Sequence, residues 1–294
     1  MVGLIISRRA QTAQGNMRTG VKSWMSQAFM RITFDSNVWQ MVVMPSLVPT
    51  HKDHDDFVTF HEALRTKHIE GFISETVGTL EAIKLAGRTS YFTSIKPIVD
   101  VKTEVKTGNQ IVLSVKIGTN HSQHPGLPPV LQDRLEAALS LGFRLLRTPR
   151  IGVPVPALFL NLENYAEEDD IVASAERDNR WGEVLEAIEL RGVGGAVLRD
   201  LKKVPSQLTS ERPFKQSLKT GVAEHTKFPR AVAEWADGDS IAAHVAYNND
   251  VFCSEDQGKS AGVKSILDKD NRLWLQKAYG ARFATIHELA QQIK

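Results

Sequence analysis

The feature that most constrains the fold is an alternation of strand-like and helix-like segments in the first part of the chain. The segment RITF at 31–34 is apolar and β-branched, which is typical of strands. The next segment, DDFVTFHEALRTKH, places Phe57, Phe60 and Leu64 at helical spacing. A second strand, IEGFIS, then precedes a helical segment, ETVGTLEAIKLAG. Because strands that alternate with helices form parallel sheets with crossover connections, we predict an α/β fold.

The pattern changes between residues 97 and 230. Two segments that alternate at period two, PIVDVKTEV and IVLSVKIG, flank the turn sequence KTGNQ and predict a β-hairpin, and VPALFLN predicts a further strand among helices. From residue 231 the first pattern returns, with a short helix opened by Asp239, the strand DVFCSED, and a closing strand and helix in ARFATIHELAQQI. We therefore predict a basic N-terminal arm at 1–30, two halves of one α/β domain at 31–96 and 231–294, and an insertion at 97–230.

Composition excludes several classes of protein. The chain is 42% hydrophobic and 24% charged, as soluble globular proteins are, and no apolar run approaches the roughly 20 residues of a membrane span. A single cysteine, Cys253, excludes an internal disulfide framework and a cysteine-rich zinc site. The net charge of +2 is too small to indicate a nucleic-acid binder by bulk electrostatics. We expect a soluble protein of the reducing cytoplasm that does not insert into membranes.

Acidic residues follow two of the predicted strands directly. Asp35 ends the first strand, and Asp256 comes shortly after VFC. One such junction is also explained by turn chemistry, because Asp, Ser and Asn favour turns and caps. If the two strands are neighbours in a parallel sheet, however, their carboxyl ends meet at one edge, where ligands bind. Glu75 and Glu81 on the following helix and Asp239 at a helix start are further acids that this edge can bring together.

Such a cluster of carboxylates requires a cation. Carboxylates held close together repel each other and raise each other's pKa, so the arrangement is unfavourable unless a positive charge lies among them. Oxygen ligands favour hard cations, which makes Mg²⁺ or Mn²⁺ the expected cofactor rather than zinc.

The same segments resemble a known family. ITFDSNVW is similar to the opening strand of PIN-domain nucleases, and GFISETVGTLEAI to their next strand and acid-bearing helix. GDSIAAHVAYNNDVFCSED resembles the stretch that carries their third and fourth acids, and ARFATIHELAQQI their closing strand and helix. The resemblance covers 31–90 and 231–294. It implies a three-layer α/β/α fold with a mainly parallel central sheet, in which one or two divalent cations support hydrolysis of phosphodiesters in RNA or, less often, DNA.

The resemblance also implies roles for individual residues. The catalytic acids that it implies are Asp35, one of Glu75 and Glu81, Asp239 and Asp256. The three aspartates match metal-binding acids of the family. The family's glutamate usually lies about two turns into its helix, which favours Glu81, whereas Glu75 directly follows the strand end. Ser254 matches a hydroxyl residue two positions before the last acid, and Asn37 is expected to orient Asp35 or a metal-bound water.

The function expected from this resemblance is that of an endoribonuclease, and a toxin inhibited by a protein antitoxin is a narrower version of it. The alternative is a catalytically inactive PIN-like scaffold whose insertion recognises a partner. Under the first hypothesis, basic residues of the insertion line the substrate channel, namely Arg147, Arg150, Lys202, Lys203, Arg212 and Lys215. The sequence does not determine whether the chain forms a homo-oligomer.

A second group of metal-friendly residues lies in HKDHDD at 51–56. Its spacing matches no established zinc pattern, and we interpret it as a solvated loop and helix cap. His244 follows Asp239 by about one turn, and packing or surface exposure is the preferred interpretation over a role beside the metal.

Overall fold

The computed structural model describes residues 29–94, 96–106, 110–120, 126–148, 161–166, 170–202, 222–258 and 265–293. Almost all of the predicted N-terminal arm and of the predicted strand VPALFLN lies outside the described residues. The same is true of four predicted substrate-binding residues, Arg150, Lys203, Arg212 and Lys215.

A five-stranded parallel sheet forms the centre of the fold. The strands are β1 (Met30–Phe34), β2 (Ile69–Ser74), β3 (Lys96–Lys106), β4 (Gln110–Asn120), β5 (Arg144–Leu146), β6 (Val251–Cys253) and β7 (Arg282–Ala284). The order in the central sheet is β5-β2-β1-β6-β7, with every neighbouring pair parallel. The predicted α/β fold with a parallel sheet is confirmed. The strands that precede Asp35 and Asp256 are neighbours, which is the condition under which their carboxyl ends meet at one edge.

Helices cover both faces of the sheet. They are α1 (Trp39–Val43), α2 (His54–Arg65), α3 (Thr76–Thr79), α4 (Leu85–Ser94), α5 (Pro129–Ser140), α6 (Ile171–Leu190), α7 (Gly195–Lys202), α8 (Val222–Ala246), α9 (Lys269–Tyr279) and α10 (Ile286–Ile293). One core cluster joins Ile73 to α1, α2, α5 and α10, and the other joins Phe72 to α6, α8 and α9. Because successive strand residues point to opposite faces, these two clusters are the two sides of a three-layer α/β/α fold. None of the described helices combines the length and the hydropathy that a membrane crossing requires.

The predicted hairpin is confirmed as a separate two-stranded antiparallel sheet. β3 pairs with β4, with Val99 opposite Ile117 and Val101 opposite Val115. The rest of segment 97–230 is not separate from the central sheet, because β5 pairs with β2. Helix α8 also runs without a break across residue 230, where we placed the end of the insertion.

Two predicted helices differ from the structure. The predicted helix ETVGTLEAIKLAG is divided into α3 and α4, with Glu81 in the turn between them. The predicted short helix opened by Asp239 is wrong, since Asp239 lies inside the 25-residue helix α8. Gly238 does not mark a helix start. It allows close packing, because a Cβ at this position would lie 3.1 Å from the Cα of Gly194.

The strand order fixes where a ligand can bind. From β1 the chain proceeds to β2 and β5 on one side, whereas β6 and β7 lie on the other. Ligands of open α/β sheets bind outside the carboxyl ends of the strands at the point where the order reverses. In this sheet that point lies between the ends of β1 and β6, which are followed by Asp35 and Ser254.

Candidate metal centre

Asp35 is a buried carboxylate held by three donors at the end of β1. Its Oδ1 accepts a hydrogen bond from the backbone N–H of Ser36 at 2.7 Å. Its Oδ2 accepts from Asn37 Nδ2 at 3.0 Å and from the Ser254 hydroxyl at 2.6 Å. Burial raises the pKa of Asp35, the bonds from Ser254 and Ser36 lower it, and the charge of Asp256 raises it further. Asn37 thus lies against Asp35, which is one of the two positions that we expected for it, and Ser254 lies against the same carboxylate.

Glu81 is the glutamate that lies beside Asp35. Its Oε1 accepts a hydrogen bond from the Thr76 hydroxyl at 3.1 Å, and Thr76 is in turn bonded to the Ser240 hydroxyl of α8 at 2.9 Å. Burial raises the pKa of Glu81, and the charge of Asp35 raises it again. Hydrogen bonds from Ser36 and Thr76 act in the opposite direction.

Glu75 is directed elsewhere. Its Oε1 accepts hydrogen bonds from the backbone N–H of Thr148 at 2.6 Å and from the Thr148 hydroxyl at 3.0 Å. Its Oε2 accepts from the Tyr165 hydroxyl at 2.7 Å. These bonds join the end of β2 to the chain that follows β5. The structure therefore separates the two glutamates, with Glu81 beside Asp35 and Glu75 in a network of its own.

Asp256 lies at the end of β6, close enough to Asp35 for its charge to act there. Its backbone N–H donates to the Ser254 hydroxyl at 3.0 Å, and its Oδ1 accepts from the backbone N–H of Gly258 at 2.7 Å. The Arg272 guanidinium donates to its backbone carbonyl.

The aspartate of α8 that belongs to this group is Asp237, which sequence analysis missed. Burial raises the pKa of Asp237 well above its ordinary value, and the charges of Asp35, Glu234, Glu81 and Asp256 raise it further. Asp239, which we predicted as the metal ligand, is buried two positions along the same helix. At about 100° per residue, the two aspartates point in nearly opposite directions, so only one of them can face the other acids. We call Asp35, Glu81, Asp237 and Asp256 the acid cluster.

The acid cluster suits a hydrated divalent cation. Its donors are all carboxylate oxygens, which Mg²⁺ and Mn²⁺ prefer. Among the described residues, no three of these carboxylates have oxygens all within 4.8 Å of one another. Mg²⁺ usually keeps several waters and binds one or two carboxylates directly, so an ion of this kind at the acid cluster would contact the remaining acids through water.

A second group of potential ligands joins α2 to α10. Ligand atoms of Asp53, Asp56 and His287 lie within 4.8 Å of one another, and Asp56 Oδ2 lies 2.8 Å from His287 Nδ1. His287 was not identified from the sequence, whereas both aspartates belong to the HKDHDD segment. The Lys52 ammonium donates to Asp53 Oδ2 at 2.7 Å. This group therefore already contains positive charge and hydrogen bonds, and we give it the lower rank as a metal site.

The predicted substrate-binding residues are only partly described. Arg147 follows β5 at the same edge of the sheet, with its guanidinium 4.7 Å from the centroid of the Tyr165 ring. Lys202 is the last residue of α7. His244 is fully buried, with Nδ1 2.9 Å from the Thr33 hydroxyl, which agrees with the packing role that we preferred.

Comparison with known proteins adds no family assignment. No protein-family model, curated protein or solved structure matches the chain. The resemblance to PIN-domain nucleases thus remains a prediction from the segments quoted above.

Proposed function

We propose that this protein is a Mg²⁺- or Mn²⁺-dependent nuclease that hydrolyses phosphodiesters, most naturally in RNA. The observation that carries the proposal is the acid cluster, which collects four carboxylates from β1, the turn after α3, α8 and the loop after β6. Mutual repulsion makes this arrangement costly for the folded protein, and a function that needs a divalent cation explains why it is present.

The roles of the residues follow from their positions. Asp35, Glu81 and Asp237 would hold the cation, and Asp256 would orient the attacking water. A bound divalent cation would lower the pKa of that water and neutralise charge on the phosphate. Ser254 and Asn37 keep Asp35 in place, because both donate to the same carboxylate oxygen. Thr76 does the same for Glu81.

We propose RNA as the substrate because of the family resemblance. The cytoplasm remains the expected location because the chain has a single cysteine. A metal-dependent ribonuclease of this kind needs no other cofactor. The hairpin β3–β4 and the basic residue Arg147 are the described parts of segment 97–230 that we propose for substrate or partner recognition.

Cleavage of RNA tests the proposal directly. Purified protein with Mn²⁺ should cleave a mixed-sequence single-stranded RNA, EDTA should stop the reaction, and Asp35→Asn should abolish it. Asp55→Asn is the matched control, because Asp55 is an exposed aspartate of α2. If neither RNA nor DNA is cleaved with any divalent cation, the proposed function is wrong.

A further inference from the structure

Arg88 is a buried cation beside the acid cluster. It lies on α4 and is only 7% exposed. Its Nε donates to the carbonyl oxygen of Ile83 at 2.9 Å, and its Nη1 donates to the carbonyl oxygen of Pro229 at 3.1 Å. Arg88 therefore links the turn that carries Glu81 to the helix that carries Asp237.

The two carbonyls leave part of the guanidinium without an acceptor. An arginine has five N–H donors in a planar fork, and the bonds to Ile83 and Pro229 are those that Arg88 makes with described residues. The charges of Glu81 and Asp237 act on Arg88, and burial opposes its charged form. The ion pairs among the described residues do not include one between Arg88 and Glu81 or Asp237.

The N–H groups of Arg88 that lack an acceptor are open to a ligand, because no nitrogen of Arg88 is among the fully buried, unpartnered side-chain atoms of the described residues. Removing a cation from water is costly unless it is paired and its hydrogen bonds are made. The carbonyls supply neutral acceptors only. An anion placed between the guanidinium and a bound divalent cation would accept these hydrogen bonds, and the two positive charges would offset its repulsion from the acids. The planar fork of arginine matches the oxygens of a phosphate group.

We propose that Arg88 is a substrate-binding residue that donates hydrogen bonds to a phosphate of the nucleic acid at the acid cluster. The inference rests on the proposed function. A purely structural role, in which Arg88 only fastens the turn of Glu81 to α8, makes different predictions. In that case the loss of Arg88 would disturb metal binding and leave the number of phosphate contacts unchanged.

The salt dependence of RNA binding separates these roles. A short single-stranded RNA is titrated into the full-length protein at several salt concentrations, with Ca²⁺ replacing Mn²⁺ to suppress cleavage, and binding is followed by fluorescence anisotropy. For Arg88→Gln we expect about a tenfold weaker affinity, and a slope of log K against log salt reduced in magnitude by about 0.7. Calorimetry should show Mn²⁺ binding at least as tight as in the parent, because a positive charge next to the acids has been removed.

Two further variants complete the design. Arg88→Lys keeps the charge and loses the fork, so it should recover the parent's salt slope while binding RNA more weakly than the parent. Arg65→Gln is the matched control, since Arg65 forms an exposed ion pair with Glu62 and should change neither quantity.

The outcomes distinguish the inference from the function on which it rests. If Arg88→Gln keeps the parent's RNA affinity and salt slope, the phosphate contact is wrong while Mn²⁺-dependent cleavage by the parent stands. If Arg88→Gln does not fold, the RNA affinity of Arg88→Lys tests the proposal instead. An affinity equal to that of the parent would contradict the contact between Arg88 and a phosphate. If the parent neither binds Mn²⁺ nor cleaves nucleic acid, the proposed function itself fails.

Discussion

Replacing Asp237 with asparagine should stabilise the metal-free protein. Asp237 lies on α8, where burial raises its pKa and the charges of four other carboxylates raise it further. Two like charges 4 Å apart repel each other by about 4 kcal/mol at an effective dielectric constant of about 20, and by less at larger separations. Salt screens this repulsion, Arg88 offsets part of it, and a carboxyl group can escape it by binding a proton. We therefore expect Asp237→Asn to raise the free energy of unfolding in EDTA at pH 8 by about 1–3 kcal/mol.

The pH dependence of this gain has a definite sign. Because the pKa of Asp237 is raised in the folded state, the folded protein binds this proton at a higher pH than the unfolded chain does. The cost of the charged form is therefore absent below the ordinary pKa of aspartate, grows as the pH rises from that pKa toward the raised pKa, and is complete above it. The difference between Asp237→Asn and the parent should be largest at pH 8 and should shrink as the pH falls toward about 4.

Urea denaturation in EDTA and in Mn²⁺ measures these quantities. In Mn²⁺ the order should reverse, since the parent gains stability from the ion and Asp237→Asn gains much less. The matched control is Asp239→Asn, on the same helix but facing the other way, which should keep the parent's gain from Mn²⁺. If Asp237→Asn is less stable than the parent in EDTA and gains equally from Mn²⁺, the placement of Asp237 in the acid cluster is refuted.

Three further predictions concern the residues around the acid cluster. Glu75→Ala should lower the free energy of unfolding by about 1–3 kcal/mol, because buried donors lose their acceptor, and it should keep the stabilisation by Mn²⁺. Glu81→Ala should raise the free energy of unfolding of the metal-free protein and lose the stabilisation by Mn²⁺. Thermal melts with and without Mn²⁺ distinguish the two variants. Gly258→Ala should destabilise the loop of Asp256 and weaken Mn²⁺ binding measured by calorimetry, because Gly258 has a φ of 66° and a Cβ there would lie 2.6 Å from the backbone nitrogen of Asp268. His244 should remain neutral between pH 8 and pH 5 in an NMR titration, because burial lowers its pKa to about 3. Stability that depends on the neutral ring is then lost as the pH falls below about 6.5, the ordinary pKa of histidine. Protonation of His244 above pH 5 would contradict its burial.

The residues next to strand ends could be predicted from the sequence for a physical reason. A parallel α/β sheet brings the carboxyl ends of its strands to one edge, so Asp35 and Asp256 required only the recognition of two short strands. Asn37 and Ser254 are close to them in sequence and move with them. Their contact with Asp35 followed once the two strands were neighbours.

The acid on α8 could not be chosen in this way. Which aspartate faces the sheet edge depends on the rotation of the whole helix, and Gly238 followed by Asp239 looked like a helix start. The helix in fact begins far upstream, at Val222. The helix-favouring residues of RAVAEWAD, which precede Gly238 without a break, are the signal that would have extended the helix and made Asp237 a candidate.

The two glutamates show a different limit. Glu75 is held by Thr148 and Tyr165, which are 73 and 90 residues away in the sequence, so no local pattern indicates these bonds. His287 likewise reaches Asp56 across 231 residues. Such contacts depend on how elements far apart in the sequence pack against each other. The periodicity of a local segment gives no information about that packing.

The most direct test of the account is the position of Mn²⁺ in a crystal of this protein, located by anomalous scattering. We predict a peak among the carboxylates of Asp35, Glu81, Asp237 and Asp256. A peak only between Asp53, Asp56 and His287, or no peak at Mn²⁺ concentrations that support RNA cleavage, would contradict the assignment of the acid cluster as the metal centre.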